Sequence, residues 1–255
     1  MLKWKLMITT LPYVVVVAAA KAVLRYGFNF EGILEFGDVG VVLTGGVFLT
    51  GFLLTGVMAD YKESEKLPGD VAGTLETIEE NLLQANAAKP ALDVTPYRKG
   101  LLELAESICD WLFKKTSEPF TALSKFRGVL EQLERDGAGS HANKALGELH
   151  NLRKAITRMS VISRTGFLPP AYALLETLLA VILLLVLAAK YKSPLAEMIL
   201  VPFVALIYVY MLRLIKDVDD PFDYAPDGKQ QGGAEVELFP LTEYRDRLKG
   251  RLAGK

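Results

Sequence analysis

Few side chains in this 255-residue chain are suited to covalent chemistry. There is one cysteine, Cys109, and there are two histidines, His141 and His150. A single cysteine excludes a disulfide framework within the chain and a cysteine-based zinc or iron–sulfur site. Cys109 falls on an apolar helical face, which reads as a buried structural thiol. No Ser/His/Asp or Cys/His pairing stands out. Gly45-Gly46 lies in an apolar run with no Lys-Ser/Thr after it, so no phosphate loop is present. The chain does not read as an enzyme, and no cofactor is required by its motifs.

Three other groups of residues suit non-covalent chemistry. Thr44, Phe48, Phe52 and Thr55 recur at spacings of four and three, so they share one face of a helix. Such a stripe packs against a neighbouring helix, or, repeated around a symmetric oligomer, forms apolar rings that gate a pore by dewetting. Glu176 is a carboxylate inside an apolar run. Buried in a membrane it would mark an ion pathway; near the membrane edge it would bond a neighbouring helix. Asp219, Asp220 and Asp223 belong to the run Asp217-Val-Asp-Asp-Pro-Phe-Asp-Tyr224. They can offer oxygens to a hard cation such as Ca²⁺, or end a helix and pair with Arg and Lys. The spacing is not that of an EF-hand, and the metal is unknown.

The elements that position these residues follow from apolar segregation. Half the chain, 51%, is apolar although 23% is charged. Four runs approach the roughly 20 apolar residues of a membrane span: Leu6 to Leu24, Val39 to Ala59, Gly166 to Ala189 and Met198 to Ile215. Lys21 and Arg213, near span ends, are expected to snorkel to the interface. Between the second and third runs, residues 60–168 hold 15 Lys/Arg and 16 Asp/Glu. Helical stripes appear there at Leu101, Leu104, Ala105, Ile108 and Leu112, at Leu123, Phe126, Leu130 and Leu133, and at Leu146, Leu149, Leu152, Ile156 and Met159. No alternating strand run is evident. The fold class is therefore an all-α membrane protein with four transmembrane helices and a helical bundle between spans two and three.

The predicted organisation is 1–59 for the N-terminal segment and spans 1–2, and 60–168 for the charged helical region. Spans 3–4 occupy 169–216 and a tail occupies 217–255. Lys3 and Lys5 precede the first span, Arg153, Lys154, Arg158 and Arg164 precede the third, and Arg213 and Lys216 end the fourth. This bias places both termini and the helical region in the cytoplasm. The Gly-, Pro- and Gln-rich tail up to Gly233 reads as a linker, followed by a short helix from Leu241 to Leu252 capped by Thr242. The net charge of −1 argues against a nucleic-acid partner.

These pieces in this order resemble the bestrophin family of ion channels. The resemblance is carried by Gly51-Phe52 in the second span, then Tyr61 and Leu67-Pro68, by Pro169-Pro-Ala-Tyr172 opening the third span, and by Asp220-Pro-Phe222 after the fourth. Glu237-Leu-Phe-Pro-Leu241 is a further echo, and the match runs from Leu6 to Leu241. The resemblance implies a homopentamer in the lipid bilayer, with one central pore lined by the second span and a cytoplasmic vestibule. Phe48 and Phe52 would form two rings of the family's apolar neck. Thr44 would stand at the third, where a larger apolar residue is usual, and would make it wider and more polar. Eukaryotic members conduct chloride or other anions and open with Ca²⁺ held after the Pro-Phe motif; here Asp223-Tyr-Ala-Pro-Asp227 replaces that cluster. The expected function is passive ion conduction with chloride favoured. The alternative is a non-conducting membrane scaffold or signalling protein whose cytoplasmic helices bind a partner. A secondary transporter ranks last, because the two halves show no internal repeat.

Overall fold

The computed structural model describes residues 2–113 and 119–254, with the side chains of Leu2 and Lys3 excepted, so the Lys3 charge counted above lies outside it. Nine α-helices are present among the described residues. They are α1 (Leu2–Ala22), α2 (Phe36–Ser64), α3 (Leu67–Ala88), α4 (Thr95–Leu112), α5 (Phe120–Leu133), α6 (Gly139–Arg164), α7 (Pro169–Ala188), α8 (Pro194–Asp219) and α9 (Phe239–Leu252). π-Helical turns follow α1 at Val23–Gly27 and α5 at Glu134–Ala138. Two strands of two residues each, β1 (Leu34–Glu35) and β2 (Ala189–Lys190), pair in parallel. They carry no alternating pattern, which is why a reading by periodicity passes over them.

The chain divides into two compact units. One comprises Met1–Tyr61, Gly166–Pro221 and Gly232–Ala234; the other comprises Lys62–Thr165, Phe222–Gln231 and Glu235–Lys255. The first holds α1, most of α2, α7 and α8. The four helical runs long and apolar enough to cross a membrane draw on these helices. Large apolar side chains such as Ile8, Val16, Met198 and Phe203 are left uncovered by the rest of the chain, as expected where the surrounding solvent is lipid. The interior is a cluster around Ile182, Val186, Val201 and Tyr208, and a second around Val57, Leu175, Ile215 and Val218.

The second unit has the opposite polarity. The stripes on α4 and α5 are buried throughout, and on α6 only Leu146 is half-buried. Leu75, Ile78 and Leu82 of α3 and Tyr244 of α9 complete a core from which water is excluded. Cys109 is buried and free, as its apolar face predicted, and burial pushes its thiol up to about 11.

Four details differ from the sequence reading. The fourth span begins at Pro194 rather than Met198, because Ser193 caps it by accepting from Ala196 N–H at 3.2 Å. The tail helix begins at Phe239, so Thr242 lies inside it and donates back to the Leu238 carbonyl rather than capping. The stretch read as a linker holds a turn, with Ala225 N–H on the Lys229 carbonyl at 2.8 Å and Gly228 at φ +81°. Lys21 does not snorkel: it is 3% exposed and donates to the Leu187 and Ala189 carbonyls at 2.8 Å each. Those groups at the C-terminal end of α7 have no helical partner ahead of them, so an ammonium there is better placed than in water.

Candidate functional site

Helix α2 has two faces. Val39, Gly46, Thr50 and Val57 are buried against the rest of the first unit. At 100° per residue, Thr44, Phe48, Phe52 and Thr55 lie on the opposite side. All four are exposed, Phe48 at 77% and Phe52 at 68%. The sequence-predicted stripe is thus one continuous surface, about 16 Å long from Thr44 to Thr55 at 1.5 Å per residue. The Thr44 hydroxyl donates to the Gly40 carbonyl at 2.9 Å and that of Thr55 to Gly51 at 3.0 Å. Their oxygens keep acceptor capacity, while their protons are held by the helix. No charged residue lies on α2 between Asp38 and Asp60, so the stripe presents two aromatic rings flanked by hydroxyls and no fixed charge.

The buried face explains how the stripe is aimed. At Gly46 a Cβ would come within 2.6 Å of Ile182 and 2.8 Å of the Tyr208 phenol oxygen. The absence of a side chain lets α7 and α8 approach closely. Through that gap the Tyr208 hydroxyl donates to the Leu43 carbonyl, tying α8 to α2 in mid-span. One helical stretch further on, Phe167 packs on Gly56, 3.4 Å from where a Cβ would stand. Phe167 is itself fixed by Asp219, whose carboxylate accepts from the Phe167 N–H at 2.8 and 2.9 Å and from the Tyr172 hydroxyl at 2.7 Å. Gly166 leaves room for that carboxylate, since a Cβ there would lie 2.9 Å from an Asp219 oxygen and would have to displace it.

The remaining predicted residues, Glu176, Asp219, Asp220 and Asp223, lie outside α2. Glu176 accepts from Lys216 at 2.6 Å, both side chains being about half exposed; this is the neighbouring-helix arrangement. Asp219 and Asp220 belong to the first unit and Asp223 to the second. Asp219 holds the start of α7, and the Asp223 carbonyl accepts from Gln231 N–H. Among the described residues, no group of three or more His, Cys, Asp or Glu is placed to hold a metal ion.

No family model matches the sequence, and no curated protein does. Solved structures do. A mutant of a bacterial bestrophin homolog from Klebsiella pneumoniae is 14% identical, with 98% of this chain and 100% of that one covered at a TM-score of 0.75. The same homolog solved by zinc phasing gives 14%, 98%, 99% and 0.74, and a further mutant gives 13%, 98%, 99% and 0.79. The chain has a bestrophin-like fold.

Within that bestrophin-like fold, one of the short motifs that carried the resemblance meets the residue that flanks another. Tyr172 of the Pro169-Pro-Ala-Tyr172 motif bonds Asp219, the residue before Asp220-Pro-Phe222. A polar group of the first unit escaped the sequence reading. Lys21, Arg25 and Glu197 converge where α1 ends and α8 begins. Lys21 stands 3.5 Å from one Glu197 oxygen, and Arg25 donates to the other. The one sequence signal was the i, i+4 spacing of Lys21 and Arg25, which puts both cations on one helical face.

Proposed function

We propose that the chain is one subunit of a bestrophin-like ion channel. In this reading a homopentamer in the lipid bilayer encloses a central pore lined by α2, and ions pass down their gradient with no covalent step. The observation that carries the proposal is the outward face of α2. It is uncovered, it runs along a membrane-length helix, and it lies opposite the face that packs the subunit. Four spans per chain leave little room for a pore within one subunit, so symmetry has to supply the walls. Phe48 and Phe52 then form apolar rings narrow enough to exclude water when closed. Their ring edges carry partial positive charge, which, on a stripe without carboxylates, supports anions with chloride favoured. The Lys/Arg bias supports cytoplasmic termini. The proposal invokes no cofactor, and Asp219 serves in it as the clamp on α7.

The test is reconstitution in a planar bilayer under a KCl gradient. A discrete conductance reversing near the chloride equilibrium potential is expected. Reversal near that of potassium would retain the channel and invert its selectivity. Replacing both Phe48 and Phe52 with Ala should raise conductance severalfold. Unchanged currents from a correctly assembled double mutant would remove the stripe from the pore. Silence from a monomer or dimer would favour the scaffold reading instead.

A further inference from the structure

We propose that the cleft between the end of α1 and the start of α8 binds an anionic phospholipid. Its phosphate would sit on the Arg25 guanidinium, and an acyl chain would run along the apolar wall. The cleft has a volume of about 420 Å³. Its wall is built from Ala22, Leu195, Met198 and Pro202, with Lys21, Arg25 and Glu197 at one end. Leu195 and Met198 are 62% and 70% exposed, so the wall opens outward rather than into the subunit.

The charges at the closed end do not balance. Lys21 is occupied by two carbonyls and Glu197, and Glu197 is shared between Lys21 and Arg25. Two cations against one carboxylate leave one positive charge. Arg25 carries it, because the Lys21 and Glu197 side chains are 4% and 8% exposed whereas that of Arg25 is 26% exposed. A guanidinium has five N–H donors in a planar fork that fits a phosphate. Among the described residues, the partner of Arg25 is Glu197.

Depth argues for the same occupant. Arg25 lies in the π-helical turn that ends the first span, and Ser193-Pro194 opens the fourth, so the cluster sits at a membrane edge. Tyr26, 75% exposed on the cleft lining, is the aromatic type found at headgroup depth. A free phosphate would gain nothing from the apolar wall. A lipid meets both ends of the cleft at once, and one with a net negative headgroup answers the unbalanced charge where a zwitterion does not. The proposal does not depend on conduction.

The test is native mass spectrometry of the purified protein in a mixture of phosphatidylglycerol and phosphatidylcholine. The uncompensated positive charge of the cluster, which the choline ammonium of phosphatidylcholine opposes, sets the expected preference for phosphatidylglycerol at about tenfold. Arg25→Gln should abolish that preference, and Arg25→Lys should keep part of it. Met198→Trp, on the open side of the cleft, should lower retention of both lipids without altering assembly. Excess inorganic phosphate should leave phosphatidylglycerol in place. Equal retention of the two lipids by the natural protein, or an unchanged preference in Arg25→Gln, would overturn the proposal. Displacement by inorganic phosphate would overturn the lipid as occupant and leave a small-anion site.

Discussion

Gly45 and Gly46 are adjacent in sequence and serve different surfaces. A Cβ on Gly46 would press on Ile182 and Tyr208, whereas nothing lies within 4 Å of one on Gly45. Gly46→Ala should therefore destabilise the folded protein by about 1–3 kcal/mol through overpacking. Gly45→Ala should be neutral, or stabilise the subunit by up to about 1 kcal/mol through helix propensity. Thermal unfolding of the two variants in detergent measures the difference, and equal midpoints would contradict it. From sequence both glycines are simply small residues in a span. Only the positions of Tyr208 and Ile182, more than 130 residues away, separate them. The stripe Thr44, Phe48, Phe52 and Thr55 was legible because helical period alone sets its face. The environment of Lys21 was not, because its partner Glu197 comes from another span and a lone Lys at a span end is compatible with snorkelling.

At the scale of elements, α9 is the one helix of the second unit that the chain reaches last, and a buried carboxylate holds it. Glu79 of α3 is 2% exposed. It accepts from Arg98 at 2.6 and 3.1 Å and from Arg251 of α9. Tyr244, fully buried, donates to the Leu75 carbonyl at 3.2 Å beside it. Removing the carboxylate leaves Arg98 without its counter-charge in a site with little water. Glu79→Ala should cost about 3–5 kcal/mol, whereas Arg251→Ala, at a more exposed cation, should cost under about 1 kcal/mol. Hydrogen exchange along α9 reads the outcome: release in the first variant and near-natural protection in the second. Equal protection would show that Leu241 and Leu248 hold the helix alone. Helices α4, α5 and α6 were legible from their stripes, since each stripe is one face turned to a common core, whereas no stripe was read for α3. The start of α9 was not, because Leu238 and Phe239 carry no capping side chain and Thr242 offered a better-looking one.

At the scale of the whole molecule, the buried acids of the second unit predict an alkaline limit to stability. Burial raises Cys109 from 9.0 to about 11, and burial with Asp136 raises Tyr97 from 10.0 to about 12. Tyr244 is pushed upward by burial, with Glu79 next in effect. Each is neutral in the folded state at a pH where the unfolded chain ionises. Their stabilisation is complete below pH 9 and is lost as pH rises through 9 to 12. Thermal midpoints between pH 7 and 11 should be level at first and then fall, and Cys109→Ser should delay the onset of the fall. A flat profile to pH 11 would contradict the burial of these groups.

The parallel pairing of β1 with β2 has a topological consequence. Leu34 and Glu35 follow the first span, and Ala189 and Lys190 follow the third, yet they share hydrogen bonds, and a Cβ on Gly32 would collide with the Ala189 backbone at 2.6 Å. Two loops synthesised about 150 residues apart must therefore emerge from the same leaflet before the fold can close. The orientation of each helical hairpin is not an independent choice. A charge change that inverts one hairpin either carries the other with it or forfeits this contact, so sidedness belongs to the chain as a unit. A single cysteine placed in either loop and tested with an impermeant reagent reports the orientation of both.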